Sequence, residues 1–246
     1  MKPRPHDADV LARMLAPALT PRSGGAFGAS RASLLGRDGP QGQEVVRVRY
    51  PAGSASMRSA KLDGTGYGGA QVYLLAKPVD SAGLSYCVRF PVGFDYVKGG
   101  KLPGLFGGTV TSGRRIPNGT DGWSTRYMWR RQGAGEVYAY LPSSVDHGTS
   151  LGRGSWHFSA GVWNCLTQTV VLNAPGRADG QITVALDGAT VFHQAGLVFR
   201  TTEGLHVDGV FFSTFFGGGD QTWASPAHQY ADFTAMSFTP LSDSSG

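Results

Sequence analysis

The chain has 246 residues, including 37 glycines and 14 prolines, yet 41% of it is hydrophobic. That apolar share can bury a sizeable core and argues against wholesale disorder, and no apolar run nears the roughly 20 residues of a membrane-spanning helix. Lys plus Arg number 22 against 17 Asp plus Glu, a net charge of +5, so the chain favours negative partners such as nucleic acid, anionic lipid or acidic polysaccharide.

Residues 1–42 read as a flexible N-terminal segment. A short helix is expected at 7–15, and the Gly-, Ser-, Arg- and Pro-rich stretch 16–42 reads as linker. Arg13 and Pro17 interrupt the apolar text there, which makes a poor signal peptide. A single domain is expected at 43–240, with 241–246 as a tail.

The domain reads as strand nearly throughout. Residues 45–50 (VVRVRY) alternate polar and apolar side chains, as a half-buried strand does. Strands are expected next at 71–75, 84–91, 125–130, 137–141, 157–160 and 166–172. Further ones follow at 181–186, 190–194, 197–200, 209–215 and 233–239. Turn signals such as Asp179-Gly and Asp187-Gly separate them. So many short strands with Gly-rich turns predict an all-β fold, a jelly-roll sandwich of two antiparallel sheets. Cys87 and Cys165 lie in strand-like text and read as two small buried residues, or as a disulfide if their geometry matches.

Two segments carry chemistry. Residues 93–108 (GFDYVKGGKLPGLFGG) do not read as a core strand; they predict an irregular, backbone-exposed edge from which Lys98 and Lys101 project. Residues 122–142 predict a hairpin whose alternation puts Ser124, Arg126, Met128 and Arg130 on one face. Glu136, Tyr138 and Tyr140 share a face of the return strand, while Val137, Ala139 and Leu141 point to the core. A turn at 131–135 would pair Arg130 with Glu136 and set Arg126 opposite Tyr140.

The run YCVRFPVGFDYVKGGKLPGLFGG strongly resembles polysaccharide lyase family 14. The blocks WNCLTQTVVLNAPGRADGQITVALDG and FFSTFFGGGDQTWASP do so too, and the similarity spans roughly 45–240. The resemblance implies a β-jelly roll that cleaves uronic-acid polymers, alginate or glucuronan, by β-elimination. It also implies a site made of a lysine in the KGGKLPG segment, a Ser-x-Arg pair and a Tyr-x-Tyr pair. Here those are Lys101, Ser124, Arg126, Tyr138 and Tyr140, with Lys98 as the alternative lysine.

The chemistry suits these residue types. Removing the C5 proton of a uronate builds charge on its carboxylate, which preorganised cations stabilise. Arg126 can grip a carboxylate bidentately, Lys101 can act as a point charge, and Ser124 can fix the sugar by a hydrogen bond. A tyrosine transfers the proton, with Tyr140 the favoured one and Tyr138 supporting it or binding sugar; Lys101 as base is the alternative. Adjacent cations should lower a phenol's pKa from its usual ~10. Arg114, Arg115 and Arg130, with Lys98, are candidates for binding further uronates. No cofactor is required and no metal-ligand cluster is visible. The expected partner is an acidic polysaccharide, not nucleic acid or membrane, and the expected state is a monomer. Secretion is expected from the substrate, without a convincing signal peptide.

Rival readings are weaker. A glycoside hydrolase needs two carboxylates flanking the bond, and Glu44, Glu136 and Glu203, the three glutamates, are scattered. A non-catalytic sugar-binding module could use Trp123, Trp129, Trp156, Trp163 and Trp223, with Trp163 expected in the core, but would not need the Ser-x-Arg and Tyr-x-Tyr spacing. Nucleic-acid binding has only basic pairs such as Arg130-Arg131 in its favour, and no recognisable module. His157 reads as structural, and His147 and His228 lie in loops.

Overall fold

A computed structural model describes residues 6–57 and 66–242. Two antiparallel sheets pack face to face, the sandwich the alternation predicts. Sheet one runs β1 (Thr20–Pro21), β4 (Ala70–Val79), β13 (Val207–Phe216), β6 (Gly99–Gly108), β7 (Gly122–Arg130), β8 (Gly135–Tyr140) and β9 (Thr149–Leu151). Sheet two runs β12 (Ala189–Leu197), β11 (Gly180–Leu186), β10 (Trp163–Val171), β5 (Ser81–Arg89), β14 (Gln229–Thr234), β3 (Val45–Tyr50) and β2 (Ala32–Gly36). A further strand, β15 (Ser237–Pro240), also pairs with β5.

The core lies between the sheets. Sheet one contributes Leu102, Leu105, Trp123, Tyr127, Trp129, Val137 and Phe212; sheet two contributes Val46, Tyr50, Leu84, Tyr86, Val88, Val184 and Phe233. Buried polar bridges cross this apolar layer, among them one at Gln168. Gln168 on β10 donates to the carbonyl of Thr125 on β7 at 2.8 Å, and its own oxygen accepts from the Thr125 hydroxyl at 2.7 Å. Because both amide ends are satisfied, the buried polar group costs little.

The glycine-rich segment departs from expectation. β6 is an interior strand between β13 and β7, and almost all of it is buried. Its glycines serve close packing, not exposure. A Cβ on Gly100 would stand 2.1 Å from the Trp129 ring, and one on Gly107 would stand 1.9 Å from the His206 carbonyl. The strand can therefore lie in mid-sheet with bulky tryptophans pressed against its backbone.

The segment 16–42 also differs from a linker. Helix α1 (Asp7–Leu15) sinks Leu11, Ala12 and Leu15 into the main core, and the Asp7 carboxylate accepts from the Gly28 amide at 3.1 Å. β1 and β2 then join the edges of the two sheets. Residues 157–160 form only an isolated bridge at His157, and 198–200 are irregular. The expected strand at 233–239 is split between β14 and β15. Of the expected tail, 243–246 lie outside the described residues.

Cys87 and Cys165 sit directly opposite one another on β5 and β10 and form a disulfide. The link joins positions 78 residues apart, so it restricts the unfolded chain by about 2–4 kcal/mol. It sits in the sheet opposite the one that carries the groove. Reduction, or the paired change Cys87→Ser with Cys165→Ser, should lower the melting temperature by roughly 5–15 °C and leave low-temperature turnover intact. An unchanged melting curve would refute the stabilising role.

Candidate active site

Alternation along β6, β7 and β8 sends one set of side chains to the core and the other to the outer face of sheet one. On that outer face the register builds rows. Lys101, Met128 and Glu136 lie side by side on the three strands. Arg126 and Tyr138 form the next row, and Ser124 and Tyr140 the one after. The turn is tighter than the expected one: Arg130 N–H donates to the Ala134 carbonyl at 2.7 Å. Arg126 therefore faces Tyr138, two residues from the expected Tyr140.

A groove of about 640 Å³ runs over these rows. Lys101, Arg126, Tyr138, Tyr140, Arg114 and Arg130 all line it. The remaining expected site residues are placed elsewhere. Ser124 is fully buried and its hydroxyl donates to the Thr111 carbonyl at 2.7 Å, so it anchors the 111–114 loop and does not reach a sugar. Arg115 donates to the Thr109 carbonyl at 3.3 Å outside the groove lining. Lys98 donates to the Thr222 hydroxyl beside Trp223 and is not part of the lining either.

Arg126 is only 3% exposed and, among the described residues, has no carboxylate partner. Its Nη1 donates to the Ser213 hydroxyl at 3.1 Å, its head lies 4.4 Å from the Phe211 ring centre, and its buried Nε has no partner among the described residues. Burial pulls the guanidinium below its ordinary pKa, against the opposing pull of the Tyr73, Tyr140 and Tyr138 phenols. Lys101 is equally buried, with Nζ 3.2 Å from the centre of the Tyr138 ring and 2.7 Å from the neutral sulfur of Met128. Burial, and then repulsion from Arg126 and Arg130, holds the Lys101 ammonium well below the usual lysine range; Glu136 acts in the other direction. Neither buried cation has an ion-pair partner among the described residues, so each can take up an anion.

The tyrosines differ. Tyr138 packs edge-on against Tyr140 with ring centres 5.7 Å apart. Burial, reinforced by Tyr140, pushes the Tyr138 phenol up to about 12, and the nearby Arg126 does not offset this. The expectation that the cations would lower a phenol's pKa is thus reversed at Tyr138, because desolvation outweighs attraction. The Tyr140 oxygen accepts from the Arg114 amide at 3.2 Å, which fixes the phenol at the groove edge.

Arg153, which lines the groove, carries no signal in the motif text. Glu136, expected to pair with Arg130, stands opposite Met128 in the strand register, yet it is fully buried and bridges Arg130 and Arg153, each at 2.6 Å. Arg153 arrives from beyond β9, and Ser213, the partner of Arg126, from β13. Of the tryptophans, Trp223 lines the groove while Trp123, Trp129 and Trp156 are buried. Trp163 is half-buried beneath the Arg89 guanidinium at 4.5 Å and is not part of the main core. Among the described residues, no group of three His, Cys, Asp or Glu side chains is placed to hold a metal ion.

Comparison with known proteins agrees with this architecture. The family model Polysaccharide lyase 14 matches residues 38–236. The fold resembles a PL-14 alginate lyase from Aplysia kurodai, with 30% identity, a TM-score of 0.78 and 98% of each chain covered. An alginate lyase from a Chlorella virus shares the fold at 24% identity and a TM-score of 0.72, covering 86% of this chain and 89% of its own. An endo-β-1,4-glucuronan lyase from Trichoderma reesei shares it at 8% identity and a TM-score of 0.59, covering 88% and 90%. No curated protein matches the sequence significantly. With the family model spanning most of the chain, this protein belongs to the polysaccharide lyase 14 family and is a polysaccharide lyase.

Proposed function

We propose that the enzyme cleaves a 1,4-linked polyuronate, alginate foremost and glucuronan second, by β-elimination at the Lys101–Arg126–Tyr140 cluster. The observation that carries this reading is the pair of buried cations, Lys101 and Arg126, that have no ion-pair partner among the described residues and lie beside two tyrosines. A uronate carboxylate supplies the missing charge, and the strong likeness to the Aplysia kurodai alginate lyase supports alginate as that polymer.

In the proposed reaction, Arg126 and Lys101 neutralise the carboxylate, so that the C5–H bond can release its proton. The electrons left at C5 form the C4=C5 double bond as the C4–O bond breaks. Tyr140 accepts the C5 proton on its oxygen and hands it on to the departing glycosidic oxygen, which restores Tyr140 to its starting state. Tyr140 is the principal proton-transfer group, and Tyr138, whose phenol keeps its proton near neutrality, donates a hydrogen bond to the sugar. Preorganised charge in a site largely shielded from water accounts for most of the acceleration.

The test is incubation of the purified protein with polymannuronate, polyguluronate and glucuronan, reading unsaturated product by ultraviolet absorbance and its size distribution by chromatography. Unsaturated oligomers are expected from alginate blocks. Tight binding of every polymer with no unsaturated product would replace this reading with a sugar-binding module. Product from glucuronan alone would overturn the alginate assignment.

A further inference from the structure

The groove holds a second group of charges beside the proposed reactive cluster. Glu136 on β8 is fully buried, and it is flanked by two guanidinium groups that themselves line the groove. Arg130 Nη2 meets one carboxylate oxygen at 2.6 Å, and Arg153 Nε meets the other at 2.6 Å. Arg153 is tied a second time by donating from Nη2 to the Ser150 hydroxyl at 2.7 Å. Arg130 keeps a buried Nε with no partner among the described residues, and its head lies 5.7 Å from the Trp223 ring centre. Both arginines line the groove together with Lys101.

A single carboxylate cannot neutralise two guanidinium groups, so the trio keeps one positive charge. Two like charges this close would otherwise splay apart into solvent; the shared carboxylate holds them together. Each guanidinium has five N–H donors, and Glu136 and Ser150 engage only some of them. What remains is a fixed pair of donor-rich cations next to Lys101.

We propose that Glu136 is a positioning residue that holds Arg130 and Arg153 as a second carboxylate-binding subsite, so that the enzyme reads the charge of the uronate neighbouring the one that reacts. The inference rests on the polyuronate reading above and extends it: the substrate must carry two adjacent uronates, and a neutral sugar at the neighbouring position is discriminated against. The subsite acts through binding, so its loss falls on KM.

The test compares wild type with Arg153→Gln, Arg153→Lys and Glu136→Gln. Affinity for saturated alginate oligosaccharides is read by calorimetry, and KM and kcat are read on intact alginate and on alginate partly reduced to neutral hexoses. Losing a charge-assisted contact should weaken binding about tenfold or more. Arg153→Gln and Glu136→Gln should show that loss in affinity and in KM, and Arg153→Lys should recover part of it. Carboxyl reduction of the polymer should penalise wild type more than Arg153→Gln, because the variant no longer reads the neighbouring charge. If Glu136→Gln lowers only the melting temperature, or Arg153→Gln leaves affinity and KM unchanged, the subsite is refuted. If wild type yields no unsaturated product but Arg153→Gln still weakens oligosaccharide binding, the lyase assignment of the cluster fails while the subsite stands.

Discussion

Tyr140→Phe is expected to cut release of unsaturated product by about 10²–10⁴-fold, the range for losing a positioned proton-transfer group, while oligosaccharide binding persists. The substitution removes one oxygen from a ring that is only 4% exposed and packs edge-on against Tyr138. Ring packing survives, so a lost rate cannot be blamed on a collapsed groove. The hydrogen bond from the Arg114 amide to the Tyr140 oxygen is lost, but that amide belongs to a loop also anchored by Ser124. Tyr138→Phe is the necessary companion. Its phenol, pushed up to about 12, serves as a donor, and its loss should cost less. If Tyr138→Phe silences the enzyme while Tyr140→Phe turns over normally, the two roles are exchanged.

Lys101→Met should separate stability from activity. The ammonium is buried beside Arg126 and Arg130, and it lies against an aromatic face and a thioether. Its folded-state pKa is held well below the unfolded value by burial first and by the two arginines second. Between the folded and unfolded pKa values the unfolded chain binds more protons, so stability rises with pH across that window. Below it the buried charge is a full penalty. Methionine has a similar shape and no charge, so Lys101→Met should fold at least as stably at neutral pH. Its kcat/KM should nevertheless fall by about 10²–10³-fold, as expected when one group that stabilises developing charge is lost. The wild-type rate should also decline on the alkaline side at a pH below the ordinary lysine range, as the ammonium discharges. Lys98→Ala, at a residue outside the groove lining, should cost far less. A larger loss from Lys98→Ala would move the catalytic lysine to position 98.

Much of the sandwich was legible because a period of two survives any tertiary arrangement. The outward set Ser124, Arg126, Met128 and Arg130 follows from alternation alone, and so does the inward set Val137, Ala139 and Leu141, since neighbouring side chains on a strand must point to opposite faces. Glycine defeated the same reasoning at 99–108. With so few side chains there is no period to read, and the reason those glycines fit mid-sheet is Trp129 and Trp123, which lie on another strand. At the N-terminal segment composition misleads for a related cause. Its composition resembles linker, while its order comes from burying Leu11 and Leu15 against distant strands.

The site divides the same way. Residue types and spacing, together with the family resemblance, were sufficient to nominate Lys101, Arg126, Tyr138 and Tyr140, because these sit on two hairpin strands and one neighbour whose pairing is local. Hairpin register was not determined: turn length decides it, and a shift of two residues keeps every side chain on its face while changing its partner. Burial was likewise invisible in the sequence. Ser124 became an anchor for Thr111, Tyr138 had its pKa raised and not lowered, and Glu136 gained Arg153 besides the expected Arg130. Those outcomes depend on which distant strands cover a residue. The sequence by itself established a positively charged β-sandwich with its cations and tyrosines on one face; the tertiary structure alone decided which of them are desolvated, which are paired, and which are left to meet a carboxylate.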